Sequence, residues 1–477
     1  MTDTRRIRGL LADRLGVDPR ALAAFRIGLG VVLLLDLALR AGSLTAFYTD
    51  RGVLPRSLLR ATYPTLGELS LHALFGALWW QALLFALTAL VAVALVAGVH
   101  SRAAAVVAFV LVVSLHLRNP PLLNAGDSLL RRLLLWGSLV PLGARWGYDA
   151  AGTDERVLSV ATVGLYLQVL AVYVVNAVLK LRGDAWHAGT AVRYVFGVDA
   201  LTVGLGDLLA GQATLLTVGA YAWLALLVAS PLLLVTAGRA RTLLVGALVG
   251  GHLFMLATLR LGVFPLVSVV SLLPFLPASV WDRIERHARP LRERLLDRVG
   301  DRRGDAATVV PATVARLEPP STQAVAAVLL AFVLAWNAAS LGLVVLPGTG
   351  ADTVDPEQRR WDMFAPVPVQ TDAYYVTVGE TAAGKRVDLF AGAATASPSD
   401  VDATYPGHRW YLYQQHLRGP GTEALRDRFG AYLCERWDRR HDSRLVRVEV
   451  TLVTQQVRLD GAGPTRRETL ADRPCPG

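Results

Sequence analysis

The chain has 477 residues, of which 53% are hydrophobic and only 18% charged, with a mean hydropathy of +0.42. A soluble domain carries about 25% charged residues, so a wholly soluble protein is excluded and a membrane body with one ordinary soluble domain is implied. The net charge of +10 does not point to nucleic acid, because the arginines cluster between apolar runs, and two cysteines exclude a disulfide-rich scaffold or a four-cysteine zinc site.

Residues 1–20, with Arg5, Arg6, Arg8, Arg14 and Arg20, read as an amphipathic segment on the cytoplasmic face. The apolar run 21–39 contains Arg26 and Asp36, which the core of a cleavable signal peptide would avoid. Membrane spans, each needing roughly 20 apolar residues, are expected at 21–40, 79–98, 103–118, 127–143, 157–182, 213–236, 242–259, 263–280 and 322–346. Residues 184–211 are too broken by Gly and Asp to span and read as short re-entrant or interfacial helices. The arginine-rich connection 238–241 and the basic arm 282–321 fall on one side. The loops 41–78 and 183–212, thin in positive charge, fall on the other. The positive-inside rule then puts the N-terminus in the cytoplasm and everything after the ninth span outside.

After residue 346 the pattern changes. Segments 372–378 and 445–453 alternate as half-buried strands do, with Val446, Val448, Val450 and Leu452 on one face. Leu425, Phe429, Tyr432 and Leu433 recur at helical spacing. The expected architecture is an α-helical polytopic bundle of about nine spans in the cell membrane, 21–281 plus the last helix 322–346. A small extracytoplasmic α+β domain, 347–477, follows. Outside the cytoplasm Cys434 and Cys475 can pair; two separate thiols are the alternative. No internal repeat suggests a transporter's inverted halves.

Ionisable residues at bilayer depth are costly and usually functional. Arg26 and Asp36 lie about 15 Å apart along one helix and on different faces, so each needs a partner elsewhere. Asn124 and Asp127 stand at the mouth of the fourth span, as a ligand site or as an interfacial turn capped by Asp127. Lys180 and Lys385 are the only lysines among 48 basic residues. Arginine cannot act as a base, whereas a lysine amine can give up its proton. Lys180, about 35 Å along a helix starting near Arg156, is therefore either a general base near the outer boundary of the hydrocarbon or a snorkelling anchor. His252 reads as a ligand contact or a hydrogen-bonded packing residue. No second His or Cys stands near it at metal spacing, and no metal is expected.

Several short motifs carry a resemblance. These are Phe25-Arg26-Ile27-Gly28 with Asp36, the run from Phe47 to Pro55, Asn124-Ala125-Gly126-Asp127, Lys180-Leu181 with Trp186, His252 with Leu261-Gly262-Val263-Phe264-Pro265, and Trp361-Asp362-Met363-Phe364-Ala365-Pro366. In order and spacing they resemble the horizontally transferred transmembrane domain proteins, microbial relatives of vitamin K-dependent γ-glutamyl carboxylase. The resemblance implies that Lys180 is the base that deprotonates a reduced vitamin K or menaquinol-type lipid quinol. Oxygen then adds, a glutamate γ-proton is removed and carbon dioxide is taken up. It further implies that Asn124, Asp127, Trp186 and His252 line the quinol pocket, and that Arg26 and Asp36 support it. The expected partners are membrane lipid and a secreted or membrane protein carrying Glu, with no nucleic acid. This chain departs from the family in lacking the histidine of an Asn-His pair at 124–127 and in its smaller outer region. A non-catalytic protein that binds lipid or a partner is the rival reading; a transporter is disfavoured by the scarcity of acidic residues in the spans.

Overall fold

The computed structural model describes residues 13–150, 152, 154–299 (291–299 by backbone alone), 320–346, 356, 361–390, 405–461 and 463–476. Most of the N-terminal segment 1–20, the second half of the arm 282–321 and most of 347–360 lie outside the described residues. The main helices in chain order are α1 (Pro19–Ala41), α2 (Leu78–Ala97), α3 (Ser101–Arg118), α4 (Ala125–Leu139), α5 (Val160–Lys180), α6 (Ala213–Ala229), α7 (Gly238–Thr258), α8 (Phe264–Leu272), α9 (Ala278–Val299) and α10 (Pro320–Ser340). Their starts follow from local chemistry. Asp18 accepts the Arg20 N–H ahead of Pro19, and Ser159 forms a capping box with Thr162. Gly98, at φ +73°, ends α2 in the left-handed conformation that glycine adopts without a Cβ clash.

Six of these helices, α1, α2, α3, α5, α7 and α10, are long and apolar enough to cross a bilayer. Nine crossings are not reached by that measure among the described residues, since α4 has 15 residues, α6 has 17 and α8 has nine. The expected span 263–280 is broken. Phe264–Phe275 and Ala278–Pro290 are bent by 106° to each other, and counting that pair as one span gives seven. Pro274 and Pro277 explain the break, because proline lacks the N–H that would continue the ladder. Residues 184–211 form the short helices Asp184–His187, Ala191–Phe196 and Leu205–Leu209.

The C-terminal region holds α11 (His408–Leu417), α12 (Glu423–Asp438) and strands β1 (Thr371–Thr381), β2 (Arg386–Asp388), β3 (Leu445–Gln456) and β4 (Thr465–Pro474). The strands form one antiparallel sheet in the order β2-β1-β3-β4. Leu425, Phe429, Tyr432 and Leu433 of α12 are buried, and Cys434 is joined to Cys475 in a disulfide that ties α12 to the end of β4. Val446 corrects the expected strand face: it is 43% exposed, while Leu445, Val448, Val450 and Leu452 are buried. The β1–β3 register skips Val446 between Arg447 and Leu445, a bulge that turns one side chain out and its neighbour in.

The bundle has two chemically different ends. At one, Val17 bridges Val157, Arg241 Nη2 donates to Arg14 O at 2.8 Å, and Arg20 pairs with Asp282 at 2.7 Å. At the other sits the sheet domain. There Arg428 Nε donates to Gly52 O at 2.8 Å and Trp410 Nε1 to Ser43 Oγ at 3.1 Å.

Candidate functional site

A cavity of about 670 Å³ lies among α4, α5, α6, α7 and α8 at the end covered by the C-terminal region. Its wall is mostly apolar, with polar groups at a few points: Asn124, Tyr173, Asn176, Lys180, His252, Ser268, Ser271 and Asp362. Tyr173, Asn176 and Lys180 share one face of α5, three, four and seven residues being whole-turn spacings. The helix begins at Val160, which puts Lys180 about 30 Å along it.

Lys180 is 2% exposed. Its Nζ donates to Met363 O at 2.8 Å and lies 3.8 Å from the centre of the Trp186 ring. A carbonyl dipole and a ring face hold an amine in place without supplying a counter-charge, and no ion pair to Lys180 forms among the described residues. The loop 361–364 forms this wall. Asn176 Nδ2 donates to Trp361 O (3.1 Å) and Asp362 O (3.0 Å), and Trp186 Nε1 donates to Phe364 O (3.0 Å). Three side chains thus grip four consecutive carbonyls. The grip offsets an unfavourable backbone, since Met363 and Phe364 have φ of 21° and 66°. Gly183 is required where this loop closes: a Cβ there would stand 2.0 Å from Pro366 O.

On the facing side Tyr173 OH is 3.1 Å from His252 Nε2, and His252 meets Trp223 and Phe264 edge-on at 5.3 and 5.8 Å. His252 Nδ1 is buried without a hydrogen-bond partner among the described residues. Asn124 is the N-cap of α4, paired in a capping box with Asp127. Its Nδ2 donates to Leu261 O at 3.2 Å and to His408 Nε2 at 3.0 Å. Burial, with the charge of Arg409 beside it, pushes His408 down to about 3, so its ring stays neutral and can accept this bond.

Asp127 is not in the cavity wall; it turns into a second, solid cluster. Arg40 binds Asp36 (2.7 Å) and Asp127 (2.5 Å), while Arg409 binds the other oxygens of Asp36 (2.7 Å) and Asp127 (2.6 Å). Tyr48 OH accepts from Arg40 at 2.7 Å, and His116 Nε2 stands 3.4 Å from Asp127. Asp36, His116 and Asp127 would offer a metal three ligand atoms within 4.8 Å of one another. Two guanidinium groups already balance both carboxylates there, so the donor set is that of an ion-pair ring. Arg26 belongs to neither site. It donates to the carbonyls of Leu95 and Val96 and, at 2.6 Å, to Trp146 O, satisfying the C-terminal end of α2 at the opposite end of the bundle.

The order of helices and the bulk of this cavity fall within a region that matches a known family model. The model is that of the HTTM domain, and it matches residues 16–281, more than half of the chain. The chain belongs to the HTTM domain family. The same domain is found in vitamin K-dependent carboxylase. No curated protein and no solved structure matches the chain. Within the HTTM domain lie Asn124, Tyr173, Asn176, Lys180, Trp186 and His252; the cavity wall formed by Asp362, Met363 and Phe364 comes from beyond it. His408 and Arg409 also come from beyond it, and sequence reasoning missed them together with Arg40 and His116. The only local signal was Arg40, one turn after Asp36.

Proposed function

We propose that this HTTM protein is a membrane-embedded carboxylase-like enzyme in which Lys180 serves as general base toward a lipid quinol held in the cavity. The observation that carries this reading is the setting of Lys180: a rare lysine, buried in a cavity wall and held by a carbonyl and a ring face, with no ion pair among the described residues and Asp362 as the carboxylate in that wall. The cavity fits such a ligand. Its apolar walls would take a flat ring and an isoprenoid tail, and its polar groups are few: those of α5, the α4 cap, His252, Ser268 and Ser271 of α8, and Asp362. Lys180, Asn176, Trp186 and the unpartnered His252 Nδ1 are the groups placed to hold it. A bound reduced quinol would supply the reducing equivalents for oxygen chemistry. Lys180 would take a ligand hydroxyl proton at Nζ, with Met363 O and the Trp186 ring fixing the amine's direction. Asn124 orients through its backbone position, because its amide N–H groups are spent on Leu261 and His408. The protein partner in this reading carries glutamate and reaches the cavity from the sheet side.

The distribution of charge and cystine supports a cytoplasmic N-terminus and an extracytoplasmic C-terminal domain. Arg14, Arg20, Arg145, Arg156 and Arg241 gather at the end away from the sheet, and the sheet domain carries the disulfide. In this layout α4, α6 and α8 also cross, making nine spans. α4, about 22 Å long, is short for a full crossing but surrounded by protein.

Lys180→Arg tests the proposal. It keeps the charge and removes the base, so quinol-dependent epoxide formation by purified protein is expected to fall about 10²–10⁴-fold, with unchanged thermal unfolding. Full activity in that variant would overturn the base assignment. Tight quinol binding with no turnover in the unmodified protein would favour the lipid-binding reading.

A further inference from the structure

A second hollow, of about 250 Å³, lies in the C-terminal domain and shares no residue with the cavity around Lys180. Its floor is apolar and aromatic, formed by Leu389, Phe390 and Trp437, and its remaining wall is basic, formed by Arg436, Arg440 and His441. Nearby, Arg428 of α12 and Arg439 just beyond it both pair with Glu435, at 2.6 and 3.6 Å. Arg436 is different. It gives one N–H to Leu389 O at 3.4 Å and lies 4.9 Å over the Phe390 ring, and neither contact cancels its charge. Burial and the neighbouring Arg440 and Arg439 accordingly hold its pKa below the usual arginine value. Neither Arg436 nor Arg440 forms an ion pair among the described residues. His441 stacks on Trp437 with ring centres 3.7 Å apart and gives its Nδ1–H to Trp437 O at 3.2 Å, which leaves Nε2 for another partner.

We infer that this hollow receives carboxylate side chains of an acidic, extended polypeptide. Two guanidinium forks with no counter-charge select an oxyanion, and arginine does so bidentately. The aromatic floor suits the methylene stem that joins a glutamate carboxylate to its backbone. Leu389 and Phe390 directly follow β2, one of the two edge strands of the sheet, so a strand laid along that edge would bring alternate side chains to the hollow. Charge complementarity decides the occupant: an apolar segment would cover the half-buried Arg436 and the exposed Arg440 without giving either a counter-charge. The inference is independent of any chemistry at Lys180.

The test uses full-length protein in detergent and two labelled peptides, one alternating Glu with Val and one alternating Gln with Val, followed by fluorescence anisotropy. The Glu peptide is expected to bind at least about tenfold more tightly and to be weakened to the same degree by Arg436→Gln. Arg440→Gln, at an exposed residue without an ion pair, should give a similar loss with an unchanged melting temperature. Equal binding of the two peptides, or no effect of either substitution, overturns the inference. So does competition by inorganic phosphate at the peptide's own concentration, which would mark a simple anion site. Substitution-sensitive binding to phosphatidylglycerol vesicles, with no peptide binding, would assign the hollow to lipid headgroups instead and equally overturn it.

Discussion

The cavity around Lys180 and the ring around Asp127 share a turn of backbone, the start of α4, yet they treat buried charge in opposite ways. Asn124 faces the cavity, and three residues on Asp127 joins two arginines and a second carboxylate in a buried ring. In the ring each charge has opposite charges at 2.5–2.7 Å. In the cavity the one cation leans on a carbonyl and an aromatic face. The first arrangement fixes structure, because removing one member strands the others. The second holds its cation through neutral contacts at the wall of a cavity. His408 and Arg409 hold the two sites in register, one gripping Asn124 and the other Asp127.

The sharpest way to break this contrast is Arg409→Ala. It leaves two carboxylates sharing Arg40, and should cost about 3–5 kcal/mol in denaturant unfolding of the detergent-solubilised protein. A loss under about 1 kcal/mol would show that the ring is not structural.

Acid offers a graded version. His408, held near 3 by burial and by Arg409, and His72, pushed down to about 4 by burial, stay neutral in the folded protein well below the ordinary imidazole value. The unfolded chain binds protons first, so stability should fall as pH drops below about 6.5. The His72 contribution should level off near 4 and that of His408 near 3. His408→Gln, which keeps an acceptor for Asn124, should flatten part of that slope; an unchanged slope would remove His408 from the account.

The smallest expected effect sharpens the other side. Lys180→Met deletes an amine that forms no ion pair among the described residues from a mostly apolar wall and leaves Met363 O without its donor. The two terms offset, so stability should move by less than about 1 kcal/mol while quinol-dependent turnover is lost. A large destabilisation would place Lys180 with the ring, as a structural ion.

The features that the chain displays locally were legible in its sequence. Runs of apolar residues marked the six long helices, alternation marked β1 and β3, and the scarcity of lysine singled out Lys180. Two strands were not, β2 because three residues carry no periodicity and β4 because its exposed first half has no apolar face to alternate. The bulge at Val446 was hidden for a related reason, as a register shift is a property of two strands and not of one. The ring was out of reach entirely. Asp127 and Arg409 are 282 residues apart, and nothing near either one announces the other. Asp36 and Arg26 were marked as needing partners; those of Asp36 proved to be Arg40 one turn along its own helix and Arg409 from the C-terminal region, and those of Arg26 bare carbonyls.

The loop from Trp361 to Phe364 has a consequence for how the protein can be cut. A truncation ending at residue 281, where the family match stops, would retain Lys180 but remove the carbonyl its amine binds and the peptide groups held by Asn176 and Trp186. The bundle would then present an unroofed trough. The smallest fragment able to enclose this cavity must therefore run past α10 and through the loop that precedes β1.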